Sequence, residues 1–352
     1  MSSQMSVSDF EQRRNKILEL IVEAYVSTAT PVGSEAIARK LRSSLSSATI
    51  RNVMGELEEA GFLEQPHTSA GRVPTERGYR FYVDSVMDAR RMAPEELRQL
   101  ESLVHPQEMD VDQLLERASQ VLAQLAQQAG FVVASSLKQG AVKQVELVPL
   151  GVRKVLCVLV GSEDMIASHV IEIQEPLTRE EASALTRFIS TELEGLSFGD
   201  LLASLERRML GGDDLLYRLV KRSLDILQLA LSTEPNERLY LDGVSFMVSQ
   251  PEFLRDPRKT HNMLRGLDAE ELLAHRIRQD AAADRVRIRI GQEVQVDGLE
   301  ECSYLAAPVA IDNEVIATVG VLGPKRMDYP RLHALVDGMR RCVASILSRW
   351  DQ

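Results

Sequence analysis

The side chains whose types and spacing suggest a shared chemistry are cationic and amide-bearing rather than nucleophilic. Between Ala36 and Gly55 the chain carries Arg39, Lys40, Arg42 and Arg51 and no acidic residue. Within that window Ser43, Ser44, Ser46, Ser47 and Thr49 cluster at the expected start of a helix. Helix amino termini offer free backbone N–H groups to phosphate oxygens, and small hydroxyls add donors without blocking close approach. Thr49, Arg51 and Asn52 fall on the face away from Ile50, Val53 and Leu57. Arginine to guanine and asparagine to adenine are the bidentate pairings that the major groove permits. A second polar set, His67, Thr68, Ser69 and Arg72, suits phosphate or minor-groove contact from a turn.

Enzymatic signals are weak by comparison. Gly195 to Gly199 spells GxSxG, but a nucleophile elbow must sit between a buried strand and a helix. Here the motif follows an amphipathic helix ending near Leu196, so Ser197 is expected to cap the next helix. The histidines at 67, 105, 169, 261, 275 and 333 form no HExxH or helically spaced pair, and no GxxxxGK is present. His169 lies inside an expected strand and reads as structural. Cys157, Cys302 and Cys342 are mutually distant, which writes neither a disulfide framework nor a paired-cysteine zinc site and fits a reducing cytoplasm. The expectation is a non-enzymatic chain with no cofactor, no metal and no catalytic residue.

The elements that must position the cationic window are legible from periodicity. Ser8 and Glu11 predict a capping box for a first helix carrying Ile17, Leu18 and Ile21 as far as Thr30 and Pro31. Gly33 and Ser34 start a second helix with Ile37, Ala38 and Leu41 inward, and Ser47 is expected to cap a third that ends at Gly61 in the left-handed conformation. Strands at 62–65 and 72–74 around a turn at 66–71 complete a helix-turn-helix followed by a hairpin, a winged helix. A further helix runs from Thr75 through Val86, and the charged, proline-punctuated stretch at 89–106 reads as a linker.

Beyond it the pattern alternates between helix and sheet blocks. A long amphipathic helix carries Val111 through Ala129, with a buried strand at 131–137. Strand-like runs at 142–150, 152–160 and 165–173 form a meander, and helices fill 178–231 around a break at Gly211 to Asp214. Strands at 239–248, 286–290, 304–311 and 315–322 precede a last helix near 329–349. The expected fold class is α+β and multidomain.

The whole chain of 352 residues has 41 basic and 52 acidic side chains, a formal charge of -11. Taken alone, that argues against a phosphate-rich partner. Counted by segment, residues 1–90 hold 11 basic and 12 acidic side chains, while 91–352 hold 30 and 40. The acidity belongs to the body. An acidic body should weaken non-specific attachment to DNA and confine contact to the small basic face. No stretch approaches 18 uninterrupted apolar residues and no leader pattern opens the chain, which fits a cytosolic protein without membrane spans.

The run from Pro31 contains PVGSEAIARKL, followed by SSATIRNVMGELEEAGFLEQPHTSAGRVPTERGYRFYVD. This resembles the signature of the bacterial heat-inducible transcription repressors of the HrcA type, and PHTSAGR with PTERGYR is nearly idiosyncratic to that family. IGQE at 290–293, CS at 302–303 and GVLGPKRMDY at 320–329 resemble its carboxy-terminal motif. Lys325 departs from the small hydroxyl residue expected there, with little evident consequence. The resemblance implies a homodimeric repressor that binds an inverted-repeat operator upstream of chaperone operons and is supported by the GroE chaperonin. It also implies a winged-helix domain at 1–90, a linker at 91–107 and a GAF-like domain at 108–139 and 236–352. A dimerisation domain at 140–235 would be inserted into the GAF-like one. Carried over by position, the operator-reading surface is Ser47, Thr49, Arg51 and Asn52 with His67, Ser69 and Arg72, flanked by Arg39 and Lys40. The competing reading is a DNA-binding regulator that senses a small molecule in the GAF-like domain.

Overall fold

The computed structural model describes residues 7–41, 45–67, 70–87, 91–104, 109–135, 142–161, 166–192, 196–208, 214–232, 237–280, 285–311 and 314–350. Helix α1 spans Val7–Thr28, starting one residue ahead of the expected cap at Ser8. Helices α2 (Ser34–Lys40) and α3 (Ser47–Glu59) cross against it through buried Ile17, Leu18, Ile21, Ile37, Ile50 and Leu57. Gly61 ends α3 as expected, with φ +75. The N–H groups of Phe62 and Gly61 donate to the carbonyls of Leu57 and Glu58 at 2.8 Å, closing the helix in a Schellman motif.

The hairpin is smaller than its sequence suggests. Strands β1 (Leu63–Glu64) and β2 (Val73–Pro74) pair antiparallel. A third segment, unexpected at the Pro31 break, joins them: Val32 and Arg72 exchange backbone hydrogen bonds, both 2.9 Å. The contact requires glycine, because a Cβ on Gly71 would lie 2.4 Å from the Val32 backbone. Helix α4 (Glu76–Phe81), capped by Thr75, continues into a wider π-helical turn at Tyr82–Val86. The segment read as a linker contains helix α5 (Pro94–Val104), whose Leu100 and Val104 are buried in the core that also takes in the last helix.

The body is an antiparallel five-stranded sheet in the order β7-β3-β10-β9-β8. Its strands are β3 (Ala129–Ser135), β7 (Glu237–Asp242), β8 (Arg287–Ile290), β9 (Cys302–Ile311) and β10 (Glu314–Pro324). Helices α6 (Val111–Ala126) and α14 (Tyr329–Trp350) cover one face. Val132, Leu305, Val319 and Val321 point to them. Alternate residues such as Phe131, Val133 and Tyr304 point the other way, into a core with Met247, Phe253 and Met263. Both faces are covered, which is why β9 reads as an unbroken buried run rather than an alternating one.

Two expected boundaries move. Ala129 begins β3 rather than ending the helix, because Gln127 turns left-handed after Ala126. The run expected as one strand at 239–248 breaks at Gly243, φ +77, and continues as helix α10 (Val244–Val248). Helices α11 (Pro251–Leu254), α12 (Pro257–Asp268) and α13 (Glu270–Asp280) follow.

Residues 142–232 have a hydrophobic core of their own. Strands β4 (Val142–Pro149), β5 (Lys154–Gly161) and β6 (Ile166–Glu172) form an antiparallel sheet. Its inner residues Val145, Val155, Cys157 and Leu159 pack on helices α7 (Arg179–Glu192), α8 (Phe198–Arg208) and α9 (Asp214–Ser232). Ser135 and Glu237 are directly paired in the larger sheet. The chain therefore leaves that sheet and returns to it at one place, with this unit between.

One ionic network ties α13 to the sheet. Asp280, whose side chain is 5% exposed, accepts from Arg289 Nε at 2.8 Å, from a second Arg289 nitrogen and from the Tyr304 hydroxyl. Burial pushes the Asp280 carboxyl up, but the bonds from Arg289 and Tyr304 outweigh it and hold the group below its ordinary 3.8. Asp280→Asn should cost about 2 kcal/mol at neutral pH, less than a fully buried pair because Arg289 keeps part of its surface in solvent. A carboxyl lowered by folding stabilises above its unfolded pKa, and that stabilisation is lost as pH falls through the folded value. Urea unfolding of both proteins should accordingly show the gap closing below about pH 3.8; equal stability at pH 7 would contradict it.

Candidate nucleic-acid interface

Helix α3 is positioned by two serines with different tasks. The cap is Ser46, one residue before the expected Ser47: its Oγ accepts from the Thr49 N–H at 3.1 Å. Ser46 Oγ also lies 2.8 Å from Thr49 Oγ1, which engages that hydroxyl within the first turn. Ser47 faces inward, its Oγ 2.9 Å from that of the buried Ser34, and so stitches α3 to α2. Ser43 and Ser44 lie outside the described residues.

Arg51 and Asn52 are exposed, one turn into α3. Among the described residues neither has a side-chain hydrogen bond or ion pair. Ala48 is exposed beside them; as a small apolar residue it gave no polar signal in the sequence, yet it is suited to the thymine methyl. Arg39 and Lys40 are exposed in the last turn of α2, where cations also complement the helix dipole.

The hairpin residues separate in role. His67 is exposed at the turn, where its carbonyl accepts from the Ala70 N–H at 2.8 Å. Ser69 and Thr68 lie outside the described residues. Arg72 is half-buried, and its Nε donates to Glu58 on α3 at 2.9 Å, which binds the hairpin to the helix. A groove of about 580 Å³ runs between these elements, lined by Ser34, Glu35, Arg51, Gln65 and Arg72. Glu58 and Val32 are the positioning residues the sequence did not reveal. Neither is near Arg72 in the chain, and only the folded hairpin brings them to it.

The serine of the GxSxG motif and the three cysteines are committed to structure. Ser197 caps α8, accepting from the Asp200 N–H at 3.1 Å and donating to its carboxylate at 2.8 Å, as expected of a helix cap and not of a nucleophile. Cys157, Cys302 and Cys342 are buried and unpaired, and burial pushes the Cys157 and Cys342 thiols up to about 12. Among the described residues no histidine, cysteine or carboxylate cluster is arranged to hold a metal ion. No helix among them is long and apolar enough to cross a membrane.

Comparison with known proteins agrees with the sequence resemblance. Residues 112–332 match the family model described as the HrcA protein C-terminal domain. A heat-inducible transcription repressor HrcA from Pelotomaculum thermopropionicum is 33% identical over 339 residues, covering 96% of this chain and 97% of the relative. That of Symbiobacterium thermophilum is 34% identical over 346 residues, covering 97% and 99%. A crystal structure of a hypothetical protein at 2.2 Å resolution shares the fold, with a TM-score of 0.61 and 22% identity over 96% of this chain and 98% of that one. The signature residues, the match over the sheet-bearing body and the near full-length relatives converge: the chain belongs to the HrcA family of heat-inducible transcription repressors.

Proposed function

We propose that the protein is a homodimeric repressor that binds an inverted-repeat operator upstream of chaperone operons. In this reading residues 1–90 are a winged helix, 91–107 connect it, 108–139 and 236–352 are a GAF-like domain, and 140–235 are an inserted dimerisation domain. The observation that carries it is the outward pair Arg51 and Asn52, without internal partners among the described residues, on the helix that Ser46 caps. Arg39, Lys40, Ser47, Thr49, His67, Ser69 and Arg72 make up the rest of the surface. Ser47 and Arg72 act by holding helix and hairpin in place, since their side chains are used inside the protein.

A two-fold operator needs a two-fold protein. The outer face of the β4-β5-β6 sheet supports that arrangement: Val148, Leu156 and Val170 form a row across the three strands, with Val148 39% and Val170 60% exposed. Ile166, 57% exposed, extends it. Exposed rows of this kind mark association sites. The GAF-like domain is a scaffold rather than a sensor in this account, because the sheet face opposite α6 and α14 is filled by Phe131, Met247, Phe253 and Tyr304. The protein works in the cytoplasm, has no catalytic activity, and depends on the GroE chaperonin to keep a marginally stable fold operator-competent. Heat diverts the chaperonin and lifts repression.

Footprinting on promoter regions of chaperone operons tests the reading. The expected result is one protected inverted repeat whose affinity falls with salt on a shallow slope, since few cations face the phosphates and the body is acidic. No protection at any salt concentration would contradict the function. A steep slope would contradict the placement of the surface.

A further inference from the structure

The signature residues of the amino-terminal unit and of the body meet each other. Arg80 on α4 donates through Nε to Glu293 Oε1 at 2.9 Å and through Nη2 to the other oxygen of the same carboxylate; Nη2 also donates to the Ile288 carbonyl at 2.7 Å. Glu293 in turn accepts the Ile290 N–H at 3.1 Å, which fixes the carboxylate on its own strand end. Lys325 Nζ bridges Glu76 of α4 at 3.0 Å and Glu301 of the body at 3.2 Å. Arg326, whose side chain is 11% exposed, reaches the Val26 carbonyl of α1 while pairing with Glu252 of α11. Tyr79 and Tyr329 pack between these anchors with ring centroids 5.9 Å apart. The approach is close: Gly291 has φ +58, and a Cβ there would lie 2.2 Å from the Glu76 carboxylate.

Domains of one chain ordinarily move relative to each other unless their interface is extensive. This one is pinned at three separate points by charged, directional bonds, and the forked Arg80 to Glu293 contact restricts rotation as well as distance. The α3 surface sits on one side of the joint and the proposed dimer sheet on the other. We propose that Arg80, Lys325 and Arg326 are positioning residues that lock the tilt of the reading head on the body, and so set the half-site spacing the dimer accepts. Lys325, a departure of no evident consequence in the sequence, is here one of the three residues that bridge head and body. Each base pair added between half-sites turns one against the other by about 34° and shifts it about 3.4 Å, a displacement a locked head cannot follow.

The inference rests on the operator-binding dimer proposed above, and the experiment separates the two. The full-length protein is titrated by fluorescence anisotropy against inverted repeats whose spacer varies one base pair at a time, and against a single half-site duplex. Wild type should favour one spacer by about tenfold or more over its neighbours. Lys325→Gln and Arg80→Gln should reduce that preference to about threefold or less with half-site affinity unchanged, while Lys325→Arg should keep it. Circular dichroism confirms folding, and Glu76→Gln, at a more exposed position, carries the same expectation should either variant fail to fold. Variants that keep the wild-type optimum and preference overturn the lock. Wild type that binds a half-site as tightly as any repeat overturns the dimeric reading, and the lock with it.

Discussion

Gly78→Ala should destabilise the amino-terminal unit by about 3 kcal/mol or more, an unusually large effect for one methyl group. A Cβ on Gly78 would lie 2.1 Å from the carbonyl oxygen of Phe62, and backbone on both sides must shift to admit it. Phe62 cannot retreat freely. Its N–H closes the end of α3, its carbonyl accepts from the Thr75 N–H at 3.1 Å, and its ring packs at a tilt against Phe81 under the Arg77 guanidinium. The perturbation therefore reaches α3, the hairpin and α4 together. Gly55→Ala is the control: nothing lies within 4 Å of its Cβ, it sits inside α3, and the change should add about 0.5 to 1 kcal/mol. Thermal unfolding of the two variants beside wild type checks the pair, and shifts in the same direction would contradict it.

Arg51→Ala carries the second large effect, on binding rather than on folding. Because Arg51 has no internal partner among the described residues, its removal leaves no unsatisfied group and stability should hold. Operator affinity should fall by about 1 to 3 kcal/mol, with relaxed preference at one base position, if the guanidinium reads a guanine edge. A residue that met only phosphate would instead weaken all sequences alike and flatten the salt dependence. Titration against the operator and its single-base variants at fixed salt separates these outcomes. Unchanged affinity would remove Arg51 from the reading surface.

What the sequence revealed of this architecture follows the range of each signal. Local signals are the legible ones. Gly61 ends α3 and Ser197 caps α8, since each depends on residues a few positions apart. The helix in the charged, proline-punctuated stretch is not legible in sequence, because the burial of Leu100 and Val104 depends on the distant carboxy-terminal helix. The α3 cap lies one residue before its expected place because Ser46 and Ser47 are equivalent in type, and only the Ser34 hydroxyl decides which turns inward. Least legible were contacts between segments far apart in the chain. Val32 with Arg72 and Arg80 with Glu293 have no periodicity to announce them. The motif glycines Gly71 and Gly78 were visible as a pattern, but their cause is close backbone approach.

The charge distribution gains a structural sense from the same facts. Within a chain of net charge -11, the last turn of α2 and the start of α3 carry Arg39, Lys40 and Arg51, with the glutamates gathered at the far end of α3. One of those, Glu58, neutralises Arg72 and anchors the hairpin, so the acidic end of the helix is also its fixed end.

The most direct test compares the wild-type protein on an inverted-repeat duplex from a chaperone operon promoter and on a scrambled duplex of equal length and composition, at the same salt. Sequence-specific reading by the α3 face predicts about 10³-fold or tighter binding to the repeat. Equal affinity for both duplexes would contradict the account.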